Sequence, residues 1–284
     1  MPTDSTIYSS GNQITVLGNT NLLVRTDYTF DGWNTQSNGS GTDYQVADTF
    51  SMPASDVTLY AQWAQTEYRI GDTGPANGII FYDIDADNSS GNGDGLMSST
   101  ATWRYLEAAP YDMASTGIAS NAGREAVRFG YHRDSDDSKN LYVNGTDTFS
   151  LENCTGTEIG VGKDNTEMLV ALIGDTAYSS SEGSGQDIYA ALLCDQLEYG
   201  EYSDWFLPSS DELEEMQRNK SVIGNFQDDI SGSYYWSSSE GYQANYAGEA
   251  KYAWYTDFHT QVPDPYTVSN LRSRSLPVRS IRRF

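Results

Sequence analysis

The residues best suited to chemistry cluster near the carboxyl end. Between positions 241 and 270 the chain carries Tyr242, Gln243, Asn245, Tyr246, Tyr252, Tyr255, Asp257, His259 and Tyr266. Tyrosine gives a large amphipathic contact area at low entropic cost, and amides adapt their hydrogen bonds to many partners. Sugar faces stack on aromatic rings by the same logic. This set therefore predicts a ligand-binding face that works without covalent chemistry. Strand alternation turns part of such a group inward, and Trp254 and Phe258 are expected in the core.

Two charged groups offer other chemistry. Asp83, Asp85, Asp87 and Asp94 stand at positions 1, 3, 5 and 12 of a calcium-type loop, and calcium is the one cofactor this sequence raises. Position 6 is Asn88 rather than glycine, position 12 is aspartate rather than glutamate, and no helix pair flanks the loop. A solvated acidic loop is the favoured alternative. The tail holds Arg272, Arg274, Arg279, Arg282 and Arg283. Bidentate guanidinium groups suit sulfated or acidic glycans. The stronger expectation is that this arginine-rich strand pairs with acids of its own domain.

Catalysis finds little support. Glu212, Glu214 and Glu215 share one short helix and read as a solvated face. No nucleophile elbow, phosphate loop or dinucleotide fingerprint occurs. Two cysteines, Cys154 and Cys194, and two histidines, His132 and His259, fall short of a Cys/His zinc site. The cysteines are either one disulfide or two buried thiols.

The elements that must position these residues follow from composition and pattern. Lys+Arg is 16 against Asp+Glu 40, a formal charge of −24. That disfavours nucleic acid as a partner, and anionic lipid as a surface. No run of about 20 apolar residues exists to insert into a membrane. The first residues have no basic and apolar leader pattern, so no signal peptide is expected in this chain. Aromatic residues make up 13%, enough to fill a core. Ile14–Val16, Leu22–Arg25, Tyr28–Trp33 and Val57–Trp63 read as short strands. A break near Glu67 separates residues 1–66 from residues 67–284. Three helices are expected in the second part: Asn165–Ile173 with an Asp164/Glu167 capping box, Asp187–Leu197, and one capped by Ser209 and Glu212 with Leu213 and Met216 facing inward. The fold class is α+β.

Two ordered motif sets carry family resemblances. Residues Tyr28–Thr35, Gly39–Thr42, Tyr44, Asp48–Phe50 and Val57–Trp63 resemble the Listeria–Bacteroides, or internalin B-type, repeat. The resemblance implies a small β-grasp-like module of bacterial surface proteins. The chain starts inside the motif, so a truncated module with an open strand edge is expected. Residues 69–284 resemble the Legionella collagen-like protein C-terminal (Lcl-type) domain. The matching pieces are Gly78–Tyr82, Trp103–Ala109, Ile159–Lys163 with Asn165 and Thr166, Tyr202–Ser209 with Asp211–Leu213, Tyr235–Glu240, Ala253–Trp254, Phe258 and Val278–Phe284.

The second resemblance implies a C-type-lectin-like fold, in which the 241–270 region forms the ligand face. The Tyr/Asn richness there fits a diversified face. It also gives Arg279 and Arg282 a structural role, as parts of a terminal signature. The expected function is a noncatalytic bacterial cell-surface or secreted adhesin or receptor-binding protein. Its partner would be a surface glycan or protein, with homo-oligomers allowed. The alternatives are a structural stalk-terminal assembly domain and, further off, an enzyme on a sulfatase-modifying-like scaffold.

Overall fold

A computed structural model of the chain describes residues 6–20, 23–25, 28–85, 102–114, 117–118, 126–130, 155–174, 178–179, 186–227, 233–241, 252–259, 265–272 and 274–284. The chain divides into two compact units, Met1–Glu67 and Tyr68–Phe284. Both units are built mostly from small antiparallel sheets, and helices occur in the second.

The first unit contains β1 (Gln13–Thr15), β2 (Tyr28–Asn34), β3 (Asp43–Tyr44), β4 (Thr49–Ser51) and β5 (Tyr60–Gln65). β1 pairs with β4, and the other three form a sheet in the order β3-β2-β5. Its core is small. Trp33 is buried beside Ile14 and Val16. The Phe30 ring meets Trp33 edge-on at 5.1 Å and Trp63 at 5.9 Å. Asn34 organises the following loop. Its Nδ2 donates to Asp43 Oδ1 at 2.6 Å and to Gly39 O at 3.2 Å, while its Oδ1 accepts from the backbone N–H groups of Gln36 and Gly41. The Trp-Asn-Thr motif is therefore structural. β5 begins three residues later than its apolar alternation predicts. Val57 and Leu59 instead help line a cleft of about 300 Å³ together with Ile14, Val16, Trp33 and Phe50. Among the described residues β5 pairs only with β2, so its outer edge is open.

The second unit contains β6 (Ile79–Asp83), β7 (Tyr105–Ala108), β8 (Met113–Ala114), β9 (Gly117–Ile118), β10 (Val127–Arg128), α1 (Gly162–Ile173), β11 (Tyr178–Ser179), β12 (Gln186–Asp187), α2 (Ala190–Asp195), α3 (Ser210–Arg218), α4 (Lys220–Ile223), β13 (Tyr234–Gly241), β14 (Tyr252–Asp257), β15 (Thr267–Leu271), β16 (Ser275–Leu276) and β17 (Ile281–Arg283). The last strand returns to the first part of the unit, in a sheet of order β17-β7-β6. A second sheet runs β13-β14-β15. One core cluster gathers Phe129, Tyr189, Leu192, Trp205 and Trp236, and another gathers Phe81, Leu106, Leu213, Met216, Tyr235 and Phe258.

The cap of α3 forms as its sequence predicts. Ser209 accepts from Glu212 N, and the Glu212 carboxylate accepts from Ser209 N at 2.7 Å. The cap predicted for α1 does not form. That helix starts earlier, at Gly162, with Val161 as an N-cap that offers no side-chain bond, and Asp164 falls inside the first turn. The reason is tertiary. A Cβ at position 162 would lie 2.1 Å from Glu212 Oε2 and 3.0 Å from Leu207 O, so the glycine sets where the helix can begin. α2 is shorter than its periodicity predicts, although Leu197 beyond its end is still buried.

The arginine tail is largely internal. Arg279 and Asp112 are both fully buried and paired at 2.6 Å. Arg279 also donates to the carbonyls of Ala109 and Asn225, and Tyr235 Oη donates to Asp112 at 2.7 Å. Arg282 bridges Glu107 at 3.1 Å and Asp204 at 2.9 Å. Glu107 in turn accepts from Gly78 N at 2.7 Å and Ala76 N at 3.1 Å. Arg272 pairs with Glu240 at 2.9 Å. Arg283 donates to the Gly160 carbonyl and lies 3.5 Å from Asp164. The anion-site reading fails for Arg272, Arg279 and Arg282, because their guanidinium groups already hold internal carboxylates away from water.

Such pairs contribute little net stability against a well-packed apolar alternative, but breaking one strands a buried charge. Arg279→Ala is expected to lower unfolding free energy by about 3–5 kcal/mol in urea titrations. Adding Asp112→Ala should cost less than the sum of the two single changes. Strict additivity would mean that the pair is not coupled.

Burial also pushes the Glu212 carboxyl up to about 7, opposed by hydrogen bonds from Ser209 N and Gly160 N and by the charge of Arg283. A carboxyl with a raised folded-state pKa binds its proton more tightly in the native state. Its contribution is therefore fullest near and below its ordinary value of 4.5 and is lost as pH rises through about 7. The melting temperature should climb on going from pH 7.5 to 5.5, by about 2–4 °C for each kcal/mol gained. Glu212→Gln should flatten that climb relative to the parent protein, and an identical pH profile in the variant would refute the assignment.

Candidate functional site

The sheet β13-β14-β15 positions most of the described residues expected to bind ligand. Along β13, alternation sends Tyr235 into one core cluster and Trp236 into the other. The polar run that follows is buried but satisfied. Ser237 Oγ donates to Trp254 O at 2.8 Å, Asn165 Nδ2 donates to Ser238 Oγ, and Ser210 N donates to Ser239 Oγ. Glu240 accepts from Thr155 N at 3.1 Å and from Arg272, whose Nε donates to the Tyr252 carbonyl. These bonds make β13 a rigid base, because each buried polar group would cost roughly 1–3 kcal/mol if left unpaired.

At the end of this sheet three side chains line up across the strands. Tyr234 sits directly opposite Asp257, whose backbone N–H bonds Tyr266 O at 3.1 Å. Directly opposed residues project from the same face, about 4.8 Å apart from strand to strand. Tyr234 and Asp257 are half-buried, and Tyr266 is 58% exposed. The Tyr234 ring packs edge-on against Tyr255 at 5.0 Å. Partial burial and the Asp257 carboxylate push the Tyr234 phenol above its ordinary range. The exposed Arg274 guanidinium lies over the Tyr234 ring, 5.9 Å from its centre. It forms no ion pair among the described residues.

This arrangement revises the expected set. Tyr252 and Tyr255 are only 6% and 7% exposed. They belong to the sheet's packing rather than to an open face, since Tyr255 stands opposite Trp236 and turns with it into the core. Asp257 and His259 are held in the rim, with His259 N donating to Asp257 Oδ1 at 2.9 Å and Lys220 Nζ donating to His259 O at 3.0 Å. Tyr242, Gln243, Asn245 and Tyr246 lie outside the described residues. Phe258 is core, whereas Trp254 is half-buried rather than core, being on the opposite face from Tyr255. Sequence reasoning missed Tyr234 and Arg274 as rim residues. Tyr234 was hidden beside the buried Tyr235–Trp236 pair, and Arg274 was pooled with its internal neighbours. No sequence signal separates Arg274, since Arg272 also lies before the Val278–Phe284 motif and is buried against Glu240.

The remaining candidates are accounted for by structure. Arg104 Nε bonds Asp83 at 2.9 Å and lies 3.1 Å from Asp85, so guanidinium already occupies the two described members of the proposed calcium set. Asp87 and Asp94 lie outside the described residues. Among the described residues no group of three or more acidic, histidine or cysteine side chains is placed to hold a metal. Cys194 is a free, buried thiol pushed up to about 12 by desolvation, which makes it a poor nucleophile. Its sulfur is not in a disulfide, and Cys154 lies outside the described residues. Glu214 and Glu215 pair with Arg218 on the surface, while Glu212 is spent on its cap, so the three carboxylates do not converge.

The family-model match falls in the first unit. Residues 2–62 match the family model of the Listeria-Bacteroides repeat domain. A protein of Evansella cellulosilytica named "Putative membrane protein" is 36% identical over 80 residues, 28% of this chain and 12% of that protein. A second, named "Putative Gly-rich membrane protein", is 52% identical over 48 residues, 17% of this chain and 6% of that protein. The chain thus spans only a small part of the relatives it matches. No solved structure matches it. Among the described residues no helix is long and apolar enough to cross a membrane.

The packing separates two tyrosines that look alike in sequence. Tyr255→Ala is expected to lose about 3–5 kcal/mol of stability, as large aromatic truncations in cores do. Tyr266→Ala should stay within about 0.5 kcal/mol of the parent in the same urea titration. Equal losses would place Tyr266 in the core and remove the rim.

Proposed function

We propose that this chain is a noncatalytic ligand-binding part of a bacterial cell-surface or secreted protein. The repeat serves as a spacer, and the second unit is a C-type-lectin-like domain whose rim Tyr234–Asp257–Tyr266 meets a surface glycan or protein. One observation carries this reading: the exposed Tyr266 phenol ends a row with Asp257 and Tyr234, on a sheet whose buried polar run Ser237–Glu240 is hydrogen-bonded among the described residues. Exposed aromatic area of this kind does nothing for the fold and is what recognition surfaces use. The repeat family and the membrane-protein names of the relatives support a location at the cell surface. The ordered motif set of residues 69–284 supports the domain type. Binding is noncovalent, and repetition on a surface would raise it by avidity.

Screening the chain on glycan and cell-surface protein arrays, with and without EDTA, tests the reading. A hit is expected that survives EDTA, because Arg104 rather than a cation neutralises Asp83 and Asp85. Tyr234→Ala combined with Tyr266→Ala should weaken that hit at least about tenfold, each such contact being worth more than 1 kcal/mol. An array with no hit, or a hit indifferent to the double change, would sink the proposal.

A further inference from the structure

We propose that β5 is an association edge: it pairs antiparallel with β5 of a second copy of this chain and joins two three-stranded sheets into one of six. This goes beyond the ligand-binding reading and does not rest on it. The first argument is length. The apolar alternation Val57, Leu59, Ala61, Trp63 begins at Val57, yet β5 starts only at Tyr60, where its partner β2 ends at Asn34. Val57 and Leu59 keep the alternation in their burial, being half-buried while Thr58 and Tyr60 are exposed, although no strand holds them among the described residues. Their side chains line the cleft beside Ile14, Val16 and Trp33. The second argument is that the edge is unguarded. Natural proteins blunt an exposed edge with charge, proline or a bulge. From Val57 to Gln65 there is no charged residue, no proline and no glycine. The extra residue of the β2–β5 ladder, Asp31, lies in β2 and leaves β5 regular.

Charge and symmetry select the occupant. Residues 1–67 carry one arginine against seven acids, and Asp56 and Glu67 flank the strand. A parallel copy in register would set Asp56 against Asp56 and Glu67 against Glu67, which like charges oppose. Antiparallel pairing about a two-fold axis at Tyr60 avoids this. Val57 then faces Trp63, Thr58 faces Gln62, Leu59 faces Ala61 and Tyr60 faces its own copy, while Asp56 falls opposite Ala64 and Glu67 opposite Pro53. Directly opposed residues project from the same face, so the apolar residues of both strands form one surface continuous with the cleft, and the polar pairs share the other. Tyr60, at the axis, is 42% exposed. Any foreign strand would also have to be uncharged and alternating, and every copy of the chain supplies one. A two-fold contact uses the same patch on both copies and closes at two chains. One strand pair is a small contact, so the dimer is weak in dilute solution, roughly micromolar to millimolar. It strengthens where copies are tethered side by side.

Sedimentation equilibrium of the whole chain, from about 1 μM to about 1 mM, tests the assignment. The mean mass should rise from that of one chain toward that of two. Tyr60→Lys and Tyr60→Glu each set like charges against each other at the axis and should weaken association at least about tenfold. An equimolar mixture of these two variants should associate again, as mixed pairs. Ala64→Lys, which falls opposite Asp56 of the second copy, should strengthen association about two- to fivefold. All three changes are at exposed positions and should leave the melting temperature of the dilute chain near that of the parent. Tyr234→Ala combined with Tyr266→Ala, in the second unit, should leave association unchanged. A chain that stays monomeric throughout, whatever other strand its edge accepts, ends the proposal. So does a dimer that survives Tyr60→Lys, a mixture that does not recover, no gain in Ala64→Lys, or a dimer lost with the rim tyrosines.

Discussion

The second unit depends on the burial of arginine charge against carboxylates far away in sequence. Asp112 meets Arg279 and Glu107 meets Arg282, each joining the early part of the unit to the Val278–Phe284 segment. A guanidinium or a carboxylate alone in these sites would carry a penalty of several kcal/mol. Each is tolerable only when its partner arrives with the right geometry. The surrounding hydrogen bonds from Ala76, Gly78 and Tyr235, and to the carbonyls of Ala109 and Asn225, complete the satisfaction that charge pairing begins. Apolar packing would supply net stability more cheaply. The pairs bear on register, because a one-residue shift would put Val278 or Ser280 where Asp112 meets Arg279.

The candidate site inherits its rigidity from the same device. Arg272 joins the end of β15 to Glu240 at the end of β13, with the Tyr252 carbonyl of β14 between them. All three strands are thereby fixed at one end. At the other end Tyr266 is exposed, while Tyr234 packs on Tyr255 and Asp257 accepts from His259 N. Recognition needs this division, in which a fixed base carries a few exposed groups whose conformational cost has already been met.

What the sequence disclosed and what it hid follow one rule. Local physics was legible. The Ser209–Glu212 cap depends on residues three apart, and Leu213 and Met216 follow helical spacing inward. The alternation of Val57 through Trp63 correctly marked one apolar side even where no strand forms at Val57. Features set by distant neighbours were not legible. Gly162 overrode the Asp164/Glu167 signature because Glu212 and Leu207 pack against it. Tyr255 and Tyr266 are the same residue type in the same tyrosine-rich stretch, yet one faces Trp236 and the other faces water. Nothing in their immediate sequence separates them. Arg274 stood apart from its neighbours only once their carboxylate partners were known.

The long-range pairs also bear on how such a chain is made. Ribosomes and translocons deliver a polypeptide from its amino end. Glu107 and Asp112 emerge well before the guanidinium groups that neutralise them, and until then their sites cannot close. A nascent second unit therefore stays open and threadable while most of its length has already appeared. Closure waits for a short stretch of cations near residues 279–282.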